Sequence, residues 1–282
     1  MAVSTFFQRW RSAAWLGWQV ESNWADPALF TLYIVARPLA VAAMLVDMYW
    51  AVRGRAVHEA AFAGFYVANA FHAYANTVLV GMGWVVFEER EEFETLKYVY
   101  TSPIGMFTYL FGRSTVRFTL ATISTTLTLL MGWFVLNIRW DWALVRWAPL
   151  LLTLLIGGVA IVFSGLLLAG ACMVMTRAAV TTLEGVTLGL YLLCGVIFPV
   201  DLLPVPLQWV SYALPFTWWY EAIRRFLLGA GASQRLAALT DMQLLGAFAL
   251  VTLVTVIVSR FGYERLEHRA RALGRLDQTT LY

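Results

Sequence analysis

Charge is scarce in this chain. Of 282 residues, 13% are Asp, Glu, Lys or Arg and 61% are hydrophobic. A soluble domain carries about 25% charged residues, so a soluble globular fold is excluded. Long apolar runs, in place of short alternating segments, exclude an outer-membrane barrel. What remains is an all-α, polytopic membrane protein. Lysine is nearly missing as well, with Lys97 the sole example. A P-loop ends in Gly-Lys-Ser/Thr. Lys97 follows Leu96, so there is no Walker A motif, and the chain does not bind and hydrolyse ATP in that manner by itself. Cysteine is limited to Cys172 and Cys194, in apolar runs, which gives neither a disulfide framework nor metal-ligand spacing. The three histidines, His58, His72 and His268, form no HExxH, and GxSxG is also missing, so enzyme signatures are thin. The N-terminal segment interleaves aromatics with arginines and lacks the apolar stretch of a cleavable signal peptide.

What is present is a series of apolar runs. They predict six spanning helices at roughly 28–52, 60–87, 104–136, 149–175, 180–199 and 241–260. The third and fourth exceed the roughly 20 residues a span needs, which predicts tilt or extension beyond the bilayer. With an even number of spans both termini share a side. Lys and Arg then divide twelve to seven, the minority side including Arg53, Arg55 and Arg139. The positive-inside bias places both termini in the cytoplasm, with the protein in the inner (plasma) membrane. Residues 1–27 carry Phe7, Trp10, Ala14 and Trp18 at helical spacing with Arg9 opposite, a pattern for an amphipathic interfacial helix. Residues 28–262 form the membrane domain. The tail, 263–282, is basic and helix-prone, suited to anionic lipid; nothing specific points to nucleic acid.

Several polar residues interrupt the apolar runs. Asn69, His72 and Asn76 fall on one face of the second span. They either line a substrate path or hydrogen-bond between helices, the latter worth about 0.6 kcal/mol each. Thr115, Thr119, Thr122 and Thr126 make a similar stripe on the third span, where helix packing is the simpler account and a pathway lining the alternative. Gly185 and Gly189 form a GxxxG in the fifth span. Arg37 lies mid-way along the first. A central Arg costs about 2.5–3.5 kcal/mol on the insertion scale, against roughly 3–6 kcal/mol returned by that helix's Leu, Ile, Phe and Val. Arg37 therefore needs a partner, a water-filled cavity or a snorkelling route.

The densest charge is in Glu88–Gly105. Glu88, Glu89, Glu91, Glu92 and Glu94 crowd its start and Lys97 sits near its end, an order that suits a helix dipole. Thr101-Ser102-Pro103 reads as a stop and restart, with Ser102 as N-cap and Pro103 at the first helical position. A plain charged loop is the alternative. This stretch resembles the E-R-E-x-G-T-L-E-x-L-x-x-S-P segment in the membrane subunit of ABC type-2 exporters. Glu89, Arg90, Glu91, Thr95, Leu96, Ser102 and Pro103 carry the likeness. Glu94 stands at the family's glycine and Lys97 at its second acid. In that family the segment is a coupling helix, here about 88–102, that fits a cleft on the ATPase subunit.

A second likeness lies in Cys194–Gly229. Gly195, Phe198, Pro199, Leu203, Pro204, Leu214, Pro215, Glu221, Arg224 and Gly229 match the family's G-x-x-F-P, L-P, L-P and acid-arginine pattern. Pro199, Pro204, Pro206 and Pro215 forbid one continuous helix. Short apolar helices dipping into the outer leaflet, or an interfacial loop anchored by Trp209, Trp218, Trp219 and Tyr220, both fit. In the family these are re-entrant helices, about 199–220 here, that cap the outer end of the pathway.

The resemblance implies a permease subunit of an ATP-driven exporter for an amphipathic, lipid-like, glycan or drug-like substrate. It implies two ABC ATPase subunits, which bind ATP and Mg, and a second permease, identical or homologous. The chain itself needs no cofactor or metal and is no enzyme on its own. Glu89, Glu91 and Glu92 are then the expected ATPase contacts. The alternatives are a stand-alone secondary transporter or channel and, further off, a membrane-embedded enzyme using His72 or Glu221 as a base.

Overall fold

The computed structural model describes residues 2–23, 26–53, 60–136, 138 and 142–275. Arg55, His58, Arg139, the side chain of Arg53 and the tail beyond residue 275 lie outside them. Of the described residues 84% are helical, and none of them is in a strand. Helices satisfy their own backbone amides, the condition for crossing hydrocarbon.

Helix α1 (Ala2–Ser22) is followed by α2 (Pro27–Arg53). Helix α3 (Ala60–Tyr74) runs through a π turn (Ala75–Val80) into α4 (Gly81–Phe87) and ends in a second π turn (Glu88–Glu92). Then come α5 (Leu96–Thr101), α6 (Met106–Phe134), α7 (Trp147–Val174) and α8 (Ala179–Leu193). Short helices α9 (Val205–Ala213), α10 (Pro215–Leu228) and α11 (Gln234–Ala237) precede the long α12 (Asp241–Ala272).

Among the described residues four helices are long and apolar enough to cross a membrane: Pro27–Asp47, Phe62–Glu92, Trp147–Val174 and Asp241–Ala272. They match four of the six expected spans. The other two expected spans form helices of a different kind. Helix α6 has 29 residues, but Arg113, Arg117 and its many Ser and Thr side chains dilute its apolar character. Helix α8 has 15 residues, about 22 Å of rise against a hydrocarbon core of about 30 Å.

Helix α7 is the spine of the bundle and packs against α12, α4 and α10. On α12 the side chains of Leu250, Leu253, Val254, Ile257, Val258 and Phe261 face outward. An apolar outer face of this kind is that of a helix in contact with lipid. Helix α6 runs from the Glu88–Glu92 turn, where Tyr109 meets Glu89, to the far end, where Tyr66 Oη donates to Thr128 O at 2.6 Å.

Helix α1 lies along α6, not apart from it. Ala13 and Gly17 are buried there, and Trp10 Nε1 donates to Thr115 Oγ1 at 3.1 Å. A Cβ on Gly112 would come within 2.5 Å of Ala13 Cβ, so only glycine permits this approach. The expected stripe therefore divides: Trp10 faces α6, while Phe7 and Trp18 are exposed.

Two sequence expectations need correction. Gly185 and Gly189 have nothing within 4 Å of an added Cβ, so this GxxxG makes no close helix contact among the described residues. Ser102 does not cap α6. It is the C-cap of α5, its Oγ donates to Val99 O at 2.8 Å, and Gly105, at φ 76°, is the N-cap of α6. Pro103 sits in the turn between them, because two residues of turn and a left-handed glycine are needed to reverse the chain.

Candidate functional site

The acidic turn is built by neutralising most of its own charge. Glu88 faces Arg113 Nη2 at 3.4 Å and Arg117 Nη2 at 3.2 Å. Arg117 also pairs with Glu21 of α1 at 2.8 Å. Glu89 accepts hydrogen bonds from Tyr109 Oη and Thr95 Oγ1, with Arg113 Nη1 at 3.5 Å. Arg90 Nε donates to Glu91 Oε1 at 2.8 Å, and its Nη1 donates to Cys172 O at 2.9 Å. The guanidinium thus closes the carbonyl end of α7, where a cation is favoured.

Glu89, Arg90 and Glu91 are consequently buried. Of the expected contact residues Glu89, Glu91 and Glu92, the first two are turned inward by arginines of α6 and by Arg90, and Glu92 alone is exposed. Thr95 is half-buried and Leu96 fully buried beneath the turn. The outer surface consists of Glu92, Phe93, Glu94, Lys97, Tyr98 and Thr101. Phe93 and Tyr98 are 48% and 65% exposed, large aromatic areas for a surface otherwise so charged.

Glu94 has φ 52°, the one positive value found at a non-glycine among the described residues. In the resemblance read from the sequence, aligned on Thr95 and Leu96, it stands where the exporter pattern has glycine. The left-handed conformation is what glycine adopts freely and other residues adopt at a cost.

The α5 turn is also tied to the far end of α12. The Arg271 guanidinium lies 4.8 Å from the centre of the Tyr100 ring. Arg275 donates to Val174 O at the end of α7. Burial, with the Glu267 carboxylate adding to it, raises the Tyr100 hydroxyl above its ordinary pKa.

A cavity of about 760 Å³ opens between α2, α3, α6 and α8. It brings together Arg37, Asn69, His72 and Asn76 from the expected pathway residues. Tyr191 Oη donates to Asn69 Oδ1 at 2.7 Å, and His72 Nδ1 lies 2.9 Å from Tyr220 Oη, so these polar groups do bridge helices. Thr119 and Thr122 are not part of this cavity. They line a separate groove on the outer side of α6 with Phe118 and Val162, and Tyr74 Oη donates to Thr122 Oγ1 at 3.0 Å. Helical geometry explains the separation: α6 turns Ser124 and Thr128 to the cavity and the Thr115 stripe away from it.

At the opposite end of the bundle the proline-rich segment folds into α9 and α10, each entered through a proline, with Pro204 capping α9 and Pro215 starting α10. Phe198 and Pro199 are half-buried. Arg224 is buried and donates from Nε to Gly64 O at 2.9 Å and from Nη2 to Gly195 O at 2.5 Å and Val196 O at 3.1 Å. Glu221 lies 3.7 Å from Arg224 and accepts from Ser233 N at 3.0 Å. On α9, Val205, Trp209 and Val210 are exposed, a face suited to lipid.

Sequence reasoning passed over Glu21, Arg113, Arg117 and Tyr109, which complete the acidic turn. The signal was available in Arg113 and Arg117, four residues apart on one helical face, opposite an acid cluster in need of cations.

A bundle of long apolar helices, a braced charged turn at one end and a proline-broken cap at the other define a multi-pass helical membrane protein. The family model for the ABC-2 type transporter matches residues 12–228, more than half of the chain, and the chain belongs to that family. The domain is a transport domain, that of an ABC-type permease, and the family generally works with an ABC ATPase. No curated protein matches the chain.

Proposed function

We propose that this chain is the permease subunit of an ATP-driven exporter, energised through the Glu88–Ser102 segment by a separate ATPase. One observation carries the reading: the segment is braced from within and bare outside. Glu88, Glu89 and Arg90 fasten it to α6 and α7, so a push on it moves those helices, while Glu92, Phe93, Glu94, Lys97 and Tyr98 are left to a partner. An aromatic pair ringed by charge is the usual composition of an interface hot spot.

In this reading α6 and α8 complete six spans. The π turn Glu88–Glu92, the start of α6 and the end of α7 meet at one end, which supports a crossing through α6. Both termini and the turn then lie in the cytoplasm, and α1 rests at the inner interface. Two permeases and two ATPase subunits assemble, with ATP and Mg on the latter. Phe198, Pro199, Pro204, Pro215, Glu221 and Arg224 form the outer gate, and the cargo is amphipathic, lipid-like, glycan or drug-like. The test is co-purification with a co-expressed cognate ABC ATPase. Retention of the ATPase by the wild type and its loss in a Phe93→Ala, Tyr98→Ala variant is the expected result. Equal retention by both sinks the assignment of this surface.

A further inference from the structure

The charges lining the cavity are not equivalent. Glu21, Glu88 and Arg117 cluster at one side and are ion-paired, with Arg117 2.8 Å from Glu21 and 3.2 Å from Glu88, and Arg113 3.4 Å from Glu88. Arg37 stands apart on α2. Its Nη1 donates to Tyr33 Oη at 2.9 Å, and its guanidinium lies 5.7 Å from the centre of that ring. Among the described residues no carboxylate lies within 4 Å of it. A phenol and a π face solvate a cation without neutralising it. Arg37 is exposed at the cavity, and a guanidinium on a helix apolar enough to span calls for a counter-charge or for water.

The surroundings say what kind of counter-charge fits. The side-chain amide of Asn76 also lines the cavity and makes no hydrogen bond among the described residues. Phe30, Ile34, Val41, Leu120 and Leu188 supply apolar walls. The volume is in the range of ligand sites that bury a molecule of a few dozen atoms. A planar fork of donors matches phosphate or carboxylate oxygens, and apolar walls match an acyl chain.

We propose that this cavity binds an amphiphile with an anionic head, its phosphate or carboxylate paired with Arg37 and its tail against the α2, α6 and α8 walls. That the bound amphiphile is cargo rests on the permease reading; binding itself does not. The acids at the cavity's other side do not attract a cationic amphiphile, since Arg113 and Arg117 already hold Glu88.

The experiment uses the full chain in detergent, with bound ligand counted by native mass spectrometry. The probes are an oleoyl lysophosphatidic acid, the monoacylglycerol with the same tail and no phosphate, and inorganic phosphate. Wild-type protein is expected to bind the lysophosphatidic acid at least tenfold more tightly than the monoacylglycerol, and inorganic phosphate not measurably. Arg37→Gln removes that preference and Arg37→Lys keeps part of it. An Arg265→Gln, Arg269→Gln variant, altered on the exposed basic face of α12, keeps all of it. Equal binding of the two lipids by the wild type overturns the proposal, and this comparison decides it even where Arg37→Gln fails to fold. Loss of the preference in the α12 variant but not in Arg37→Gln overturns it too, as does inorganic phosphate binding as tightly as the lipid. A chain that binds the lysophosphatidic acid through Arg37 yet never retains an ATPase refutes the permease reading and leaves the site standing.

Discussion

Arg90 closes the end of a helix 82 residues further along the chain: its Nη1 donates to the carbonyl oxygen of Cys172 at 2.9 Å. The same guanidinium pairs with the carboxylate of its neighbour Glu91. One buried side chain thereby joins the acidic turn to α7. Removing one partner of a buried pair leaves an uncompensated charge, at a cost of about 3–5 kcal/mol. Arg90→Ala is therefore expected to lower the midpoint of thermal unfolding in detergent sharply, and Arg90→Lys to restore only part of the loss. An unchanged midpoint in Arg90→Ala would falsify the bracing role.

The backbone at Glu94 gives a prediction of opposite sign. A left-handed non-glycine residue is disfavoured by roughly 1–2 kcal/mol, and glycine's greater freedom in the unfolded chain returns up to about 1 kcal/mol. Glu94→Gly is expected to leave thermal stability unchanged or slightly raised. Glu94→Val, β-branched at the same φ, is expected to lower it. The comparison of the two unfolding midpoints is the check.

The exposed aromatics separate docking from folding. Phe93 and Tyr98 are exposed, so replacing both with Ala is expected to leave the unfolding midpoint in place. The affinity for a cognate ABC ATPase is expected to fall at least tenfold, about 1.4 kcal/mol. Surface plasmon resonance against the immobilised ATPase measures it. Glu89→Ala is expected to do the reverse on stability, because Glu89 is buried.

Close approach of α1 to α6 can be tested at one atom. A side chain at Gly112 meets Ala13 Cβ at 2.5 Å and Ala14 N at 2.9 Å. Gly112→Leu is expected to lift α1 away and speed proteolytic removal of the first twenty or so residues, on the order of tenfold, since exposed termini are where cleavage concentrates. Gly185→Leu, at a position with open space around it, is expected to be silent in the same assay.

Much of this was legible in the chain. Apolar runs located the helices, and Pro204 and Pro215 marked where α9 and α10 begin. Asn69, His72 and Asn76, grouped by spacing alone, do share a cavity with Arg37. The inward turn of Glu89 and Glu91 was not legible. A run of acids reads as a solvated surface until the cations facing it are known, and Arg113 and Arg117 come some twenty residues later on another helix. Thr119 and Thr122 failed for a related reason. Spacing fixes which residues share a face of α6, but the neighbours decide which face meets the cavity. The role of Ser102 turned on the conformation of Gly105, which no local pattern around Ser-Pro announces.

Arg224 has a consequence in the order of synthesis. Its side chain donates to carbonyls of Gly64, Gly195 and Val196. The acceptor at Gly64 emerges from the ribosome 160 residues before its donor. Throughout that interval α3 and the end of α8 lack the side chain that ties both to α10. The proline-broken end of the bundle is thus tied together late, after most of the long helices are already made. A chain that stalls before residue 224 lacks all three of these bonds.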